Sequence, residues 1–520
     1  MRPVIALDVG TSSIRALTYS PKGKLLHSVG HSYAPTYHPS GEVRQSPSDW
    51  ESGAKSVLAQ AASFLHEKGL SAEAVSVTSQ RASLISVDAK GEALHDAIMW
   101  HDKTTIPQCR KISEAIPQEV VYQKTGLRID SYFSAPKLLQ LRDNEKEIFN
   151  AAHFFLGVQD YVILKMTGER VSDYSQASRT LLFNIKTQSW DEEILRALDI
   201  DENRLPRLVA PGSICGYICR AFSTETGLKE GTPVVAAGGD QQVAAVGMGI
   251  FTRETAEVNT GTGSFVLTLV DEPVFHPEMK TLCSYSAIAD KWVVEAGVLT
   301  TGIVFKWFAE QFTESGSPID GVRDYEELDS LVRSSPEGSN GVILLPHFKG
   351  AAAPFWNSSA RGVFFNITLA TKKGDMARAI VEAIALEIGE NLLLLNQNET
   401  VNIREVIVAG GMTGFPLFNR IQADVYGIPL RKYPYTEASS FGAFLSAMTA
   451  LGHYSSIFEA HKSLSPPLEE ARIIPKESIH DLYEAVRKQR NLLYSALDEH
   501  KVYEKLPEVE AHLYPAERRT

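Results

Sequence analysis

Runs of apolar residues separated by glycine-bearing turns open the chain. Residues 4–9 and 14–19 read as two strands joined by Gly10-Thr11-Ser12-Ser13. A Pro21-Lys22-Gly23 turn leads to a third strand over 24–29, so the first thirty residues predict a hairpin meander. Residues 49–68 have helical spacing, with Trp50, Val57, Leu58 and Phe64 on the face expected to be buried. Residues 75–87 alternate as one strand would, and 138–144 and 158–166 read as helices. Further on, 234–237 is a strand, and 341–346 is a candidate buried strand. Residues 373–395 form a long helix with Ala and Leu on one face. A short strand over 406–409 runs into Gly410-Gly411, and a helix follows over 418–426. Beyond about 455 the pattern turns to polar helices such as 477–499, expected to be a packing or surface appendage without site residues.

The opening pattern returns in mid-chain. Residues 257–270 read EVNTGTGSFVLTLV, against LDVGTSSIRALTYS near the N-terminus. Asn259, Gly261, Thr262 and Ser264 fall where Asp8, Gly10, Thr11 and Ser13 fall. A strand, a glycine-threonine turn and a second strand, occurring twice, predict an internal duplication. The expected organisation is one domain over 1–250, a second over 251–455, and a helical appendage over 456–520.

Composition narrows the class. The 520 residues are 44% hydrophobic and 22% charged, which is ordinary for a globular chain. Its length calls for at least two domains. The net charge of −12, from 63 acidic and 51 basic residues, opposes binding to nucleic-acid backbones. It leaves room for a small anion gripped by a few aimed donors. Four cysteines do not make a disulfide framework, and Cys215 and Cys219 read as core fillers rather than zinc ligands. No apolar run approaches about 18 residues, so no membrane insertion is expected, and a cytoplasmic protein is. Self-association is left open.

The candidate chemistry is phosphoryl transfer, which needs a grip on phosphates, charge neutralisation and one proton acceptor. Two glycine-threonine turns can cradle phosphates through backbone N–H groups and hydroxyls. Asp8, beside the first turn, is of the type that suits Mg²⁺ directly or through water. Asp240, after Gly238-Gly239 at a strand end, can reach into a cleft as a general base; it can equally cap the helix that follows. Gly410-Gly411 allows close approach of a flat ligand such as adenine, or is simply a tight turn.

Taken in order from about residue 4 to 450, these segments resemble the FGGY family of carbohydrate kinases, its glycerol kinase branch most closely. ALDVGTSSIRA is similar to the family's first phosphate motif, and SYFSAPKLLQLRDN to its first signature, with Gln140 where tryptophan is usual. SDYSQASRTLLFNI followed by Trp190-Asp191 resembles the glycerol kinase stretch. GGDQQ resembles the catalytic-base motif, NTGTGSF the second phosphate motif, and VAGGMTGFPLFNRIQADVYGIP the adenosine motif.

The resemblance implies two α/β domains of the actin, hexokinase and Hsp70 (ribonuclease H-like) class, each on a mixed five-stranded sheet, with the active site in the interdomain cleft. It implies ATP and Mg²⁺ as cofactors and a small sugar or polyol as acceptor. Asp240 is then the base and Asp8 the metal residue. Thr11, Ser12, Ser13 and Arg15 serve the cofactor from one side; Gly261, Thr262, Gly410, Gly411 and Met412 serve it from the other. Gln80, Arg81, Tyr132, Asp240 and Phe265 face the acceptor. The glycerol kinase pattern has a glutamate after the arginine, and here the residue is Ala82. That departure weighs against glycerol and toward a longer polyol or ketose. Lys137 and Asp102 read as a structural pair, and Trp100 as core in preference to a wall of the acceptor site. Glycerol kinase proper is one alternative. An ATPase switch of the actin or Hsp70 type is a second, opposed by the Gln80-Arg81 and Gly239-Asp240-Gln241-Gln242 pattern. A catalytically dead sugar-binding regulator is a third, opposed by the retention of Asp8 and Asp240.

Overall fold

Strands buried on both faces need helices on both sides, and the near-continuous apolar strands of this chain obtain them. A computed structural model describes residues 1–312, 322–465 and 472–506. Parts of the expected second domain (313–321) and of the C-terminal appendage (466–471 and 507–520) lie outside the described residues.

The first half holds a sheet of β1 (Val4–Val9), β2 (Ser13–Tyr19), β3 (Leu25–Ser32), β4 (Val75–Ser79), β5 (Ser213–Tyr217) and β6 (Pro233–Gly239), in the order β5-β6-β4-β1-β2-β3. The second holds β7 (Thr255–Thr260), β8 (Ser264–Val270), β9 (Leu282–Tyr285), β10 (Trp292–Val298), β11 (Glu405–Ala409) and β12 (Leu430–Lys432), in the order β9-β10-β8-β7-β11-β12. Five strands of each sheet share one plan, with two antiparallel and two parallel neighbours in the same succession. Both sheets therefore have six strands rather than the expected five. The extra ones, β5 and β9, join antiparallel at opposite edges of the common plan.

The repeat also differs by one residue at its turn. Val9 pairs with Ile14 across four residues, and Thr260 pairs with Ser264 across three. Ser264 thus takes the place of Ile14 rather than of Ser13, and Phe265 stands where Arg15 stands, opposite the strand-end polar residue.

Most sequence-predicted elements occur within a few residues of their expected limits, including α1 (Pro47–Glu67), α2 (Ser134–Asn144) and α4 (Lys373–Asn396). Trp50, Val57 and Leu58 of α1 are buried against β1 and β2, while Phe64 is half-buried and stacks on His27. The expected strand over 75–87 is broken in two, 75–79 and 85–87, by a turn carrying Gln80, Arg81 and Ala82, the last in the left-handed region at φ 67°. Alternation persists through the break because both pieces are buried. The polar tail is no mere surface appendage. On α6 (Glu477–Glu499), Tyr483, Arg487, Arg490 and Tyr494 are buried at helical spacing. Arg490 pairs with Glu387 of α4, and the Tyr483 hydroxyl donates to Glu382 at 2.8 Å.

Two helices cross between the halves. Helix α3 (Asp240–Met248) leaves the first sheet at β6, yet Ala244, Ala245 and Met248 pack on Leu267, Leu269, Ile407 and Ala409 of the second. Helix α5 (Ala438–Ala450) leaves the second sheet after β12, yet Phe444, Leu445 and Met448 pack on Val4, Ala6, Leu17 and Val235 of the first. Glycines make the crossing close. A methyl group built on Gly442 would stand 2.0 Å from the Val243 carbonyl oxygen, and one on Gly247 would stand 2.1 Å from that of Ala438. Gly442→Ala should therefore destabilise the fold by about 1–3 kcal/mol, since overpacking outweighs the gain in helix propensity. Gly414→Ala, where the added methyl meets open space, should change stability by less than about 0.5 kcal/mol. Chemical denaturation of both variants checks the difference.

Candidate active site

The crossing delivers the first residue of α3 to the gap between the halves. Asp240 follows Gly239, where a side chain would strike Arg81 Cδ at 2.4 Å, so the glycine lets Arg81 lie directly beneath the backbone. One Asp240 oxygen accepts from the Gln241 N–H at 2.8 Å and lies 3.5 Å from Arg81 Nε. About a third of the side chain (32%) stays open. Asp240 is the first residue of the helix rather than its cap, because Gly239 holds the N-cap position and no side chain caps the helix. Burial of its surroundings raises its carboxyl above the usual range, and Arg81 opposes the rise.

Arg81 is buried and ringed by acceptors. It donates to Gln241 and lies 4.0 Å from Glu295 of β10, while its Nε and Nη1 make no hydrogen bond. The same Glu295 pairs with Arg179, which also donates to Ser284 at 3.0 Å. Burial would raise Glu295, but Arg179 and Arg81 outweigh it and hold the carboxyl below the usual range. Glu257 of β7 shares the sheet face of Glu295, since both pair with Leu267. Burial pushes Glu257 up to about 8, so it is largely neutral near pH 7.

Tyr132 packs between Trp100 and Phe133, with ring centroids 5.2 Å apart in each case, and the Arg179 guanidinium lies 5.3 Å over its ring. Trp100 is half-buried and donates to the Thr11 hydroxyl at 3.1 Å, so it leans on the first turn instead of filling the core. Phe265, half-buried beside Gly297, lies on the same sheet face as Glu257 and Glu295. Gln80 is buried and bonds Thr11, Ser83 and the Gly10 carbonyl at 3.4 Å each, which ties it to the first turn. Lys137 and Asp102 form no direct pair. Lys137 donates instead to the carbonyls of Ser131, Tyr132 and Phe133 at 2.6–2.8 Å and so fixes the Tyr132 loop. Asp102 accepts from the Val43 and Thr104 N–H groups.

Asp8 lies at the end of β1, 3.1 Å from Arg15, which also bridges to Glu437 in front of α5. Burial and the nearby Asp240 charge lift Asp8 to about 6 despite Arg15. Two carboxylates in mutual repulsion offer a setting that a divalent cation would relieve. Among the described residues no three His, Cys, Asp or Glu side chains cluster as a metal cage, so such an ion would have to complete its shell with phosphate oxygens and water. Ser12 is exposed, and Thr11 and Ser13 are half-exposed. Gly261 and Thr262 are exposed on the opposite turn, which is braced by Thr301 donating to the Gly261 carbonyl at 3.1 Å. Gly410, at φ 94°, presses on the Thr260 carbonyl and is exposed together with Gly411. Met412 differs, because its side chain is buried in the second core and leaves only its backbone near the loop. Arg179, Glu295, Glu257 and Glu437 were missed by the sequence reading. Arg179 and Glu257 lay inside recognised segments, but only the packed halves reveal what they face. The four cysteines are free, and Cys215 and Cys283 are buried fillers.

Two α/β halves on one repeated sheet plan, with Asp240 and Arg81 of the first beside Glu295 of the second, have the architecture of a two-domain kinase. The FGGY family of carbohydrate kinases matches by its N-terminal domain over residues 3–247 and by its C-terminal domain over 256–451. This chain belongs to that family, and its activity is ATP-dependent phosphorylation of a sugar or polyol. It is 30% identical over 506 residues to the glycerol kinase of Deinococcus radiodurans, covering 95% of this chain and 97% of that one. It is 32% identical over 464 residues to that of Alkalilimnicola ehrlichii, covering 87% and 91%. In fold it matches the ligand-bound xylulose kinase of Lactobacillus acidophilus, with a TM-score of 0.88 at 23% identity over 96% of this chain and 99% of that one. It also matches Plasmodium falciparum glycerol kinase with ADP, with a TM-score of 0.85 at 23% identity over 94% and 97%. No helix among the described residues is long and apolar enough to cross a membrane.

The buried Glu257 makes a pH prediction. Its folded pKa of about 8 lies above the ordinary 4.5, so folding takes up a proton between these values. The stabilisation is complete below the ordinary range and fades as pH rises through the folded value. Wild type should lose stability relative to Glu257→Gln between about pH 4.5 and 8, read by denaturant titration; parallel curves would contradict it.

Proposed function

We propose that the acceptor is a polyol or ketose longer than glycerol, and that Asp240 takes the proton from the hydroxyl that is phosphorylated. The observation that carries this reading is the pair of unbonded donors on buried Arg81, 3.5 Å from a carboxylate open to the gap, with no carboxylate at position 82. Arg81 would bind and orient acceptor hydroxyls, Tyr132 and Phe265 would wall the acceptor, and Gln80 would brace the first turn. The raised carboxyl of Asp240 is the better base for it, since catalytic groups work best near the operating pH. Thr11, Ser12, Ser13 and Arg15 would meet the phosphates from one turn, and Gly261 and Thr262 from the other. Gly410, Gly411 and the Met412 backbone would follow the adenosine. Asp8 would hold Mg²⁺, which supplies charge neutralisation on the phosphates when bound. Closure of the halves, taken as 1–250 and 251–455 with a helical segment over 456–520, would exclude water. The protein would act in the cytoplasm, where ATP is available.

A second reading keeps glycerol as acceptor. The curated relatives are glycerol kinases, and four of the five acceptor-side residues of that pattern are present. Against it, a missing hydrogen-bond acceptor weakens binding by about 1–3 kcal/mol. An ADP-release screen over glycerol, tetritols, pentuloses, hexuloses and gluconate decides. The best kcat/KM should fall on an acceptor with four or more carbons, and a clear optimum at glycerol selects the second reading. Ala82→Glu should raise the relative kcat/KM for glycerol; no change counts against the pocket assignment. Asp240→Asn should cost about 10²–10⁴-fold in transfer while ATP binding persists, and near-full activity would remove Asp240 as base.

A further inference from the structure

The acceptor-side cations belong to the first half of the chain, yet the carboxylate that holds them belongs to the second. Arg81 sits in the turn after β4, and Arg179 follows a short helix, Tyr174–Ala177. Both meet Glu295, in the middle of β10. The Ser284 hydroxyl of neighbouring β9 donates to Glu295 Oε1 at 3.3 Å. Arg179 lies over both rings of the Tyr132-Phe133 pair, at 5.3 and 5.0 Å. One buried carboxylate therefore touches the guanidinium beside the base and the guanidinium that carries the acceptor's aromatic wall. The local charges balance, with Arg81 and Arg179 against Glu295 and Asp240. A lone cation buried without its partner would be strongly unfavourable.

From this geometry we infer that Glu295 is a positioning residue that joins the acceptor-binding side chains of the first half to the nucleotide-side sheet, so that Arg81 and Tyr132 are set for the acceptor only while the two halves are together. The inference rests on the acceptor reading above and extends it to a residue not placed in contact with acceptor or nucleotide. Removing the negative charge at Glu295 leaves Arg179 without its counter-ion and Arg81 with Asp240 alone. Arg81 then turns fully to Asp240, and Arg179 draws away from the Tyr132 ring. Acceptor binding suffers first. Nucleotide binding, assigned above to the glycine turns and to Gly410 and Gly411, does not.

The test is steady-state kinetics of Glu295→Gln and Glu295→Asp with MgATP and with glycerol and D-xylulose as probe acceptors. Thermal unfolding of each variant runs alongside. Glu295→Gln should raise the KM of whichever probe turns over by about ten-fold or more, with the KM for ATP within about two-fold. Glu295→Asp should recover part of the loss. A variant with a lowered melting temperature and both KM values unchanged shows a structural role only and overturns the inference. If wild type phosphorylates neither probe, X-ray scattering with magnesium and the ATP analogue AMP-PNP tests the junction directly. Glu295→Gln should then have a larger radius of gyration than wild type, and an equal radius overturns the inference.

Discussion

The close crossing of α3 and α5 is the constraint on which the rest of the molecule depends. Helix α5 leaves the second sheet and buries its apolar face on the first, while α3 packs Val243 and Val246 on the first-sheet side and Ala244, Ala245 and Met248 on the second. The two halves are therefore interleaved rather than merely apposed, and the first turn of α3 is fixed at their junction. Asp240 inherits its place from that arrangement. So does Glu437, which leads into α5 and reaches Arg15 and, through it, Asp8. Two helix starts, one from each half, thus present acidic residues at the same gap.

The electrostatics of the gap follow from this enclosure. Burial pushes Asp8, Asp240 and Glu257 toward their neutral forms, and the guanidiniums pull some of them back. Glu295 alone among these carboxyls is held below its usual range, because two arginines share it. Buried ion pairs of this kind add little net stability compared with apolar packing. Here they hold Arg81 between Asp240 and Glu295 while its Nε and Nη1 make no hydrogen bond.

Much of this was legible in the chain. The strand–turn–strand repeat disclosed the duplication, and the strand-end position of Asp240 was legible from the apolar run and the glycine pair before it. The one-residue difference between the two turns was not legible, because matched letters do not report pairing register. The break after Ser79 was hidden by continued burial on both sides of it. Of the two expectations for the tail, packing or surface, α6 takes the first, although its buried stripe is built of tyrosine and arginine, which a hydropathy pattern reads as solvent-facing. Lys137 was misjudged because a buried lysine suggests an acidic partner, whereas this one is satisfied by three backbone carbonyls. Glu295 and Arg179 lie 116 residues apart and meet only in the folded chain.

Everything claimed for the gap reduces to transfer of a phosphoryl group onto an alcohol in preference to water. Phosphorus NMR of a reaction with MgATP and the preferred acceptor measures that preference directly. One phosphate monoester should form for each ADP, with little inorganic phosphate, and ADP formation should nearly stop when the acceptor is withheld. Inorganic phosphate accumulating in step with ADP, whether or not the acceptor is present, would contradict the account.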